Sequence, residues 1–198
     1  MSVCVAMPPD SPSAPGFRAP HPLAERLAAR CVPAARILEI GTGSGRNAAA
    51  LTAAGMACVS IGASAPIGPV ADGGFDAAIS THALLHGTPA SIAARLGEIA
   101  RALRPGGLFF ATFGSVRDAR FGRGTRIDAS TWAPESGDER GVAHAYFAAT
   151  GLRALLARDF AVERADENGV DDVAGTWAHA TTPLRDAVHW FVEARRRD

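Results

Sequence analysis

The sequence predicts an α/β fold: three layers, with a mostly parallel sheet covered by helices on both faces. Three observations carry this. Strand-length apolar runs alternate with helical patterns along most of the chain. Those runs are apolar throughout rather than on alternate residues, as in parallel strands buried on both faces. The first of them enters a turn of three alternating glycines and leaves it as an alanine-rich helix, in "ILEIGTGSGRNAAALTAAG", residues 37–55.

The bulk numbers fit one domain. The chain has 198 residues, 47% hydrophobic and 20% charged, enough for a substantial core. The expected division is a flexible Pro-rich leader at 1–20, able to fold over the site as a lid, and a single domain at 21–198. The formal net charge is zero, so neither nucleic acid nor an anionic membrane surface is an expected partner. All 20 basic residues are arginine. Without lysine the chain forms no Schiff base and has no lysine to reach phosphates from a Walker-type loop. Cys4, Cys31 and Cys58 are isolated and match neither a metal-ligand spacing nor a disulfide framework. No secretory signal or membrane-spanning run is evident, and a cytoplasmic, soluble protein is expected.

The elements follow in order. Residues 22–31 have helical spacing (Leu23, Leu27, Ala28, Cys31) behind Pro22. Strand one covers 36–41 and its helix 45–54; 57–62 is a second strand and 75–81 a third apolar run. Residues 89–104 form a helix capped near Thr88, with Ile92, Leu96, Ile99 and Leu103 on its buried face. Pro105-Gly106-Gly107 stops it, and 108–113 is a buried strand. Residues 114–145, rich in Gly, Asp and Arg, look like a long loop. A helix at 149–158 and a strand at 160–165 come next. Residues 189–195 read as a final strand, with a helix starting at Thr182-Pro183 as the competing assignment.

The glycine turn points to a nucleotide-like ligand, because it brings backbone close to the ligand and aims helix N–H groups at it. The dinucleotide pattern G-x-G-x-x-G/A would put Arg46 at its third position, where so large a side chain blocks close helix–strand contact. The spacing present is E-x-G-x-G-x-G: Glu39, Gly41, Gly43 and Gly45.

With these residues the chain resembles the class I S-adenosylmethionine (AdoMet)-dependent methyltransferases. "LEIGTGSGRN" (38–47) is similar to their first motif, and "FDAAISTHALLHG" (75–87) to the strand-four region under the cofactor. "LRPGGLFFATF" (103–113) is similar to their helix–turn–strand-five signature, and "AYFAATGLRALLARDFAVE" (145–163) to the late helix and strand of small, tellurite-resistance-type members. The resemblance implies a Rossmann-like sheet and S-adenosylmethionine as cofactor. It implies that Glu39 holds the ammonium end of the methionine moiety. Gly41, Gly43 and Gly45 would let backbone pass close, with Thr42 and Asn47 in the same stretch, and Thr81 and His82 would line the sulfonium region.

The chain departs from the family pattern at Gly62, where an acid ordinarily binds the ribose hydroxyls. Only 63–74, "ASAPIGPVADGG", separate the second strand from the next, too few for the usual helix, third strand and adenine-facing acid. The sheet is therefore expected to have six strands, the third missing, with strand two at its edge. An uncovered edge favours a homodimer. Three readings follow: an AdoMet enzyme with a reduced adenosine pocket using Ser60, Ser64, Asp72, backbone or a partner subunit; a binding or regulatory module without cofactor; or a domain for another small ligand in the same crevice. The intact first motif favours the enzyme, acting on a small-molecule acceptor.

Methyl transfer asks the protein mainly to align the acceptor, with a base where the acceptor is protonated. The expected catalytic candidates are His82, His144 and Tyr146, against the plainer role of His144 and Tyr146 in anchoring the long loop. His82 and His86 have an i, i+4 metal-pair spacing, but no third ligand accompanies them in sequence, so no metal is expected. Arg117, Arg120, Arg123 and Arg126 would favour a carboxylate or phosphate on the substrate if one points inward. Trp132, Trp177, Trp190, His179 and His189 are assigned to packing.

Overall fold

The computed structural model describes residues 19–68, 73–169 and 186–198. The leader's first eighteen residues, Cys4, Asp72, Trp177, His179 and the Thr182-Pro183 helix start lie outside the described residues.

Helix α1 (Pro22–Ala28) is capped by the His21 side chain, which accepts from the Leu23 amide. Strand β1 (Arg36–Ile40) leads through the glycine turn to α2 (Arg46–Ala53), and β2 (Ala57–Ile61) follows. Strand β3 (Phe75–Ser80) is followed by α3 (Pro89–Ala102), which starts with a reciprocal capping box between Thr88 and Ser91. The next strand, β4 (Leu103–Ser115), begins five residues earlier than its apolar run does. Its pairing with β3 jumps from Phe75↔Leu103 to Ala77↔Leu108. The Pro105-Gly106-Gly107 segment is thus a bulge that ends the helix and sets the strand register.

Four parallel strands run in the order β2-β1-β3-β4. The C-terminal strand β9 (Val188–Arg196) lies antiparallel to β4, and β8 (Phe160–Gly169) antiparallel to β9. These six strands form the expected main sheet, with β2 at its edge among the described residues. Among the described residues, however, the sheet has nine strands. The segment expected to be a loop holds β5 (Thr125–Arg126), β6 (Thr131–Ala133) and β7 (His144–Phe147). Strands of two to four residues carry no readable alternation, which is why the expectation of six falls short.

Gly114 pairs with His189 on one side and Tyr146 on the other. Strand β7 therefore takes up the edge of β4 that β3 has left. A Cβ at Gly114 would lie 2.6 Å from the Ala145 carbonyl oxygen, so this crossing needs glycine.

Both faces of the sheet are covered. One core joins Phe109, Phe113 and Leu38 to Ile92, Leu96 and Ile99 of α3 and to Leu152 and Leu156 of α4 (Ala149–Leu156). The other joins Ile37, Ile79 and Phe110 to Leu23, Leu27 and Leu51 of α1 and α2. Neighbouring residues of β4 thus serve opposite cores. The Phe109 ring is fully buried and stacks on Phe160 at 4.5 Å. Phe109→Ala should cost about 3–5 kcal/mol in urea unfolding. Val59→Ala, on the exposed edge strand, should stay within about 0.5 kcal/mol of wild type.

Candidate active site

The carboxyl end of β1 fixes the site. Gly41 has φ +84°, and a Cβ there would lie 2.6 Å from Ala83 Cβ just beyond β3. Both the conformation and the space demand glycine. Gly45, at φ +75°, is the N-cap of α2. Gly43 and Ser44 are exposed at the tip of the turn, and Thr42 is half-buried beside them.

Glu39 is 1% exposed. Its Oε2 accepts a 2.6 Å hydrogen bond from Ser60 Oγ, on the residue paired with it across β1 and β2. Its Oε1 is buried and has no hydrogen-bond partner among the described residues. Burial pushes the carboxyl above its ordinary value, against Ser60, Asn47 and the Arg46 charge, which favour the carboxylate. A buried oxygen of this kind is an acceptor for a cationic or hydroxyl group of a ligand.

Asn47 is committed within the protein. Its Oδ1 accepts from the His21 amide at 2.9 Å, and its Nδ2 donates to Thr81 Oγ1 at 2.9 Å. It ties the start of α1 to the end of β3. Gly62 stands at the end of β2, where the missing acid was expected. Its φ lies outside the left-handed region, and a Cβ would meet only Ala65 Cβ, at 3.7 Å. Ser64, in the following turn, is exposed.

His82 takes φ +60° as the chain leaves β3, and its amide donates to Thr112 Oγ1 at 2.7 Å. Its ring lies between His21 at 5.2 Å and His189 at 5.3 Å. His21 also packs on Phe191. Burial first, then the Arg46 charge, pulls His21 down to about 3. Burial, then Arg120, pulls His189 to about 3. His82 is lowered in the same direction by burial and by its histidine neighbours. All three rings are neutral at pH 7. His189 Nε2 accepts from Arg120 Nη2 at 3.1 Å. Arg120 alone of the four loop arginines singled out in the sequence turns deeply inward, and it meets Asp118 through paired 2.8 Å bonds. Its charge is thus engaged by an internal carboxylate.

His86 parts from His82 and joins another group. His86 Nε2 lies 3.2 Å from Glu139 Oε1, and His144 Nε2 lies 3.1 Å from Glu139 Oε2. These two histidines hold the Glu139 carboxyl well below its ordinary range. Tyr146 is buried against Phe121, and burial pushes its phenol up to about 12, which leaves it protonated at neutral pH. The structure therefore groups His82 with His21 and His189, and groups His144 with His86 and Glu139. His21, Glu139 and Asp118 escaped the sequence reading, and His189 was read as packing alone. His21 meets His82, and Glu139 meets His86, across remote stretches of chain; the Asp118–Arg120 and Glu139–His144 pairs are close in sequence, but no periodic pattern marks them as turned inward.

Comparison with known proteins agrees with this architecture. The methyltransferase-domain family matches residues 16–164. Among curated proteins no sequence matches this chain. The fold is similar to a SAM-dependent methyltransferase from Methanosarcina mazei, with TM-score 0.64 and 17% identity over 87% of this chain and 97% of that one. It is similar to the 1,6-didemethyltoxoflavin-N1-methyltransferase of Burkholderia thailandensis, solved with 1,6-didemethyltoxoflavin and S-adenosylhomocysteine, with TM-score 0.61 and 20% identity over 89% and 77%. It is also similar to the [4+2]-cyclase SpnF, with TM-score 0.55 and 20% identity over 88% and 80%. At these identities the likeness is one of fold, which does not by itself fix an activity.

The neutral histidines make stability depend on pH. The unfolded chain binds protons at these residues below about pH 6.5, whereas folded His21 and His189 resist protonation down to about 3. Stability is complete above pH 6.5 and falls as the pH drops towards 3. Urea unfolding at pH 6.5 and pH 5 should differ by about 1–2 kcal/mol per histidine. His189→Asn should flatten that slope.

Proposed function

This chain belongs to the methyltransferase-domain family of the class I AdoMet-dependent superfamily, and we propose that it transfers a methyl group from S-adenosylmethionine to a small-molecule acceptor. The observation that carries the proposal is Glu39: a buried carboxylate beside a glycine turn, with one oxygen fixed by Ser60 and the other unpartnered. That arrangement fits the ammonium group of the cofactor's methionine end. When bound, S-adenosylmethionine supplies an electrophilic methyl on sulfonium sulfur, so little covalent chemistry falls to the protein.

Each residue then has a role. Glu39 holds the ammonium through Oε1. Gly41 and Gly45 keep the turn free of side chains where the cofactor passes. Asn47 positions rather than binds, by fixing Thr81 and the start of α1 around the crevice. His82, neutral, with its backbone amide held by Thr112 and its ring among His21 and His189, is the histidine we assign to orienting the acceptor's nucleophile. A ring held so far towards the neutral form is a weak base, so His82 suits acceptors that need alignment more than deprotonation. The Burkholderia structure, an N1-methyltransferase with 1,6-didemethyltoxoflavin bound, supports an acceptor of small-molecule size. The chain's zero net charge supports an uncharged small molecule over nucleic acid.

Calorimetric titration with S-adenosylmethionine and S-adenosylhomocysteine tests the reading. Wild type should bind both. Glu39→Gln, which can keep a contact to Ser60 but loses the charge, should weaken binding by about tenfold or more. Gly62→Asp should tighten it by about 10- to 100-fold, since position 62 accepts a Cβ and a ribose-binding carboxylate contributes about 1.5–3 kcal/mol. Absence of binding by folded wild type and by Gly62→Asp would end the cofactor assignment.

A further inference from the structure

We infer that His86, Glu139 and His144 form a binding site for one divalent transition-metal ion of the zinc type. Their ligand atoms all lie within 4.8 Å of one another. Two histidines and a glutamate are a donor set that zinc accepts with one position left open. Ligand atoms about a tetrahedral zinc stand about 3.3 Å apart, given bonds of about 2.0–2.2 Å. The two histidine–carboxylate separations, 3.2 Å from His86 to Oε1 and 3.1 Å from His144 to Oε2, are close to that spacing, each histidine meeting its own oxygen of Glu139.

The hydrogen bonding of His144 argues for a cation. Its Nδ1 lies 2.8 Å from the Val142 carbonyl, which only accepts, so Nδ1 carries a proton. Its Nε2 faces Glu139 Oε2, also an acceptor when ionised. A neutral ring has one proton for two acceptors. The space between Nε2 and the carboxylate must therefore hold a second proton or a metal ion. An Nδ1–H donated to a backbone carbonyl is the usual outer support of a metal-ligating histidine, leaving Nε2 to bind.

The backbone presents the three groups together before any ligand arrives. His86 and His144 face each other in an isolated antiparallel bridge. That bridge is flanked by bonds from the Gly87 amide to the Ala143 carbonyl at 2.7 Å and from the Ala145 amide to the Leu85 carbonyl at 2.8 Å. Glu139 sits in a closed loop, where the Gly141 amide donates to the Pro134 carbonyl at 2.8 Å. His144 is 1% exposed, while His86 and Glu139 retain 30% and 26% of their side-chain exposure. One ligand is thus buried and two border solvent, which gives the ion an entry path and an open coordination position. His86 lies in the turn that begins at His82, so the ion would brace the β6–β7 loop against the exit of β3.

The test needs neither cofactor nor acceptor, so its failure is separate from that of the methyltransferase reading. Chelator-treated full-length protein is titrated with Zn2+ by calorimetry and with Co2+ by visible absorption. The expected result is one ion per chain, cobalt bands of a low-coordinate site, and a melting temperature that rises with Zn2+. His86→Ala and Glu139→Gln should each weaken binding by more than about tenfold. His86 is partly exposed and Glu139→Gln conserves shape, so at least one variant should keep the wild-type circular dichroism. Absence of stoichiometric binding, or binding that persists in both variants, would overturn the assignment and leave a hydrogen-bonded histidine–carboxylate cluster in its place.

Discussion

The approach of Gly41 to Ala83 is the contact on which the site depends. The two residues follow neighbouring parallel strands, and a methyl added at position 41 would lie only 2.6 Å from Ala83 Cβ. Because the β1 turn occupies this space, the chain leaving β3 bends sharply, through the left-handed His82. The edge of β4 is then open for β7, which docks on Gly114 and draws the β5–β6–β7 segment over the carboxyl ends of the strands. The sheet also changes direction here: β2 lies to one side of β1, and β3 and β4 to the other. A crevice at such a point is where open α/β sheets bind ligands. The close approach of the two turns and the docking of β7 on Gly114 therefore both fall at the carboxyl end of the parallel strands.

Two buried carboxylates show how the fold distinguishes internal charge from charge offered to a ligand. Asp118 is buried, yet the Arg120 guanidinium takes both of its oxygens, and the backbone amides of Arg120 and Val188 add two more bonds. Burial raises its pKa, but those bonds and the arginine charge outweigh burial and lower it. Glu39 is as deeply buried, but one oxygen has no partner, and burial prevails. The first group is complete within the chain. The second gains stability when a cation reaches it, since leaving a buried acceptor unsatisfied costs about 1–3 kcal/mol. The neutral His21–His82–His189 series completes the picture, because it lines the neighbouring space without adding charge that would compete with a cationic cofactor for Glu39.

Much of this was legible in sequence wherever covalent neighbours share a role. Glu39 and the three glycines act within seven residues, so their order along the chain is also their order in space. The parallel core strands could be read because burial on both faces leaves an unbroken apolar run. Strand β2 at the edge followed from the shortness of 63–74. The second histidine group had no such signal. His86 and Glu139 are 53 residues apart, and they meet only because β7 fills the edge that β3 left. The i, i+4 spacing of His82 and His86 suggested one group, but the left-handed turn at His82 sends the two side chains into different ones. His21 was hidden differently: it falls between the leader at 1–20 and the helical pattern at 22–31, where nothing local shows that its ring caps α1 and packs against Phe191.

The shortened segment after β2 bears on why β2 itself remains. An edge strand with an exposed Val59 contributes little core. What it contributes is register. Pairing of Glu39 with Ser60 puts a hydroxyl against the buried carboxylate, and the Gly41 amide bonds the Ile61 carbonyl at 2.9 Å. Strand β2 therefore supports both the buried Glu39 carboxylate and the glycine turn. The Ser60 hydroxyl is consequently engaged by Glu39. The helix, third strand and acid that the family pattern places after β2 do not fit between residues 63 and 74. On the proposed cofactor reading, that shortening would bear on the adenosine half, whereas the β1–β2 register around Glu39 and the turn is kept. A short edge strand is thus retained for the hydrogen bonds it makes to β1 rather than for the core it adds.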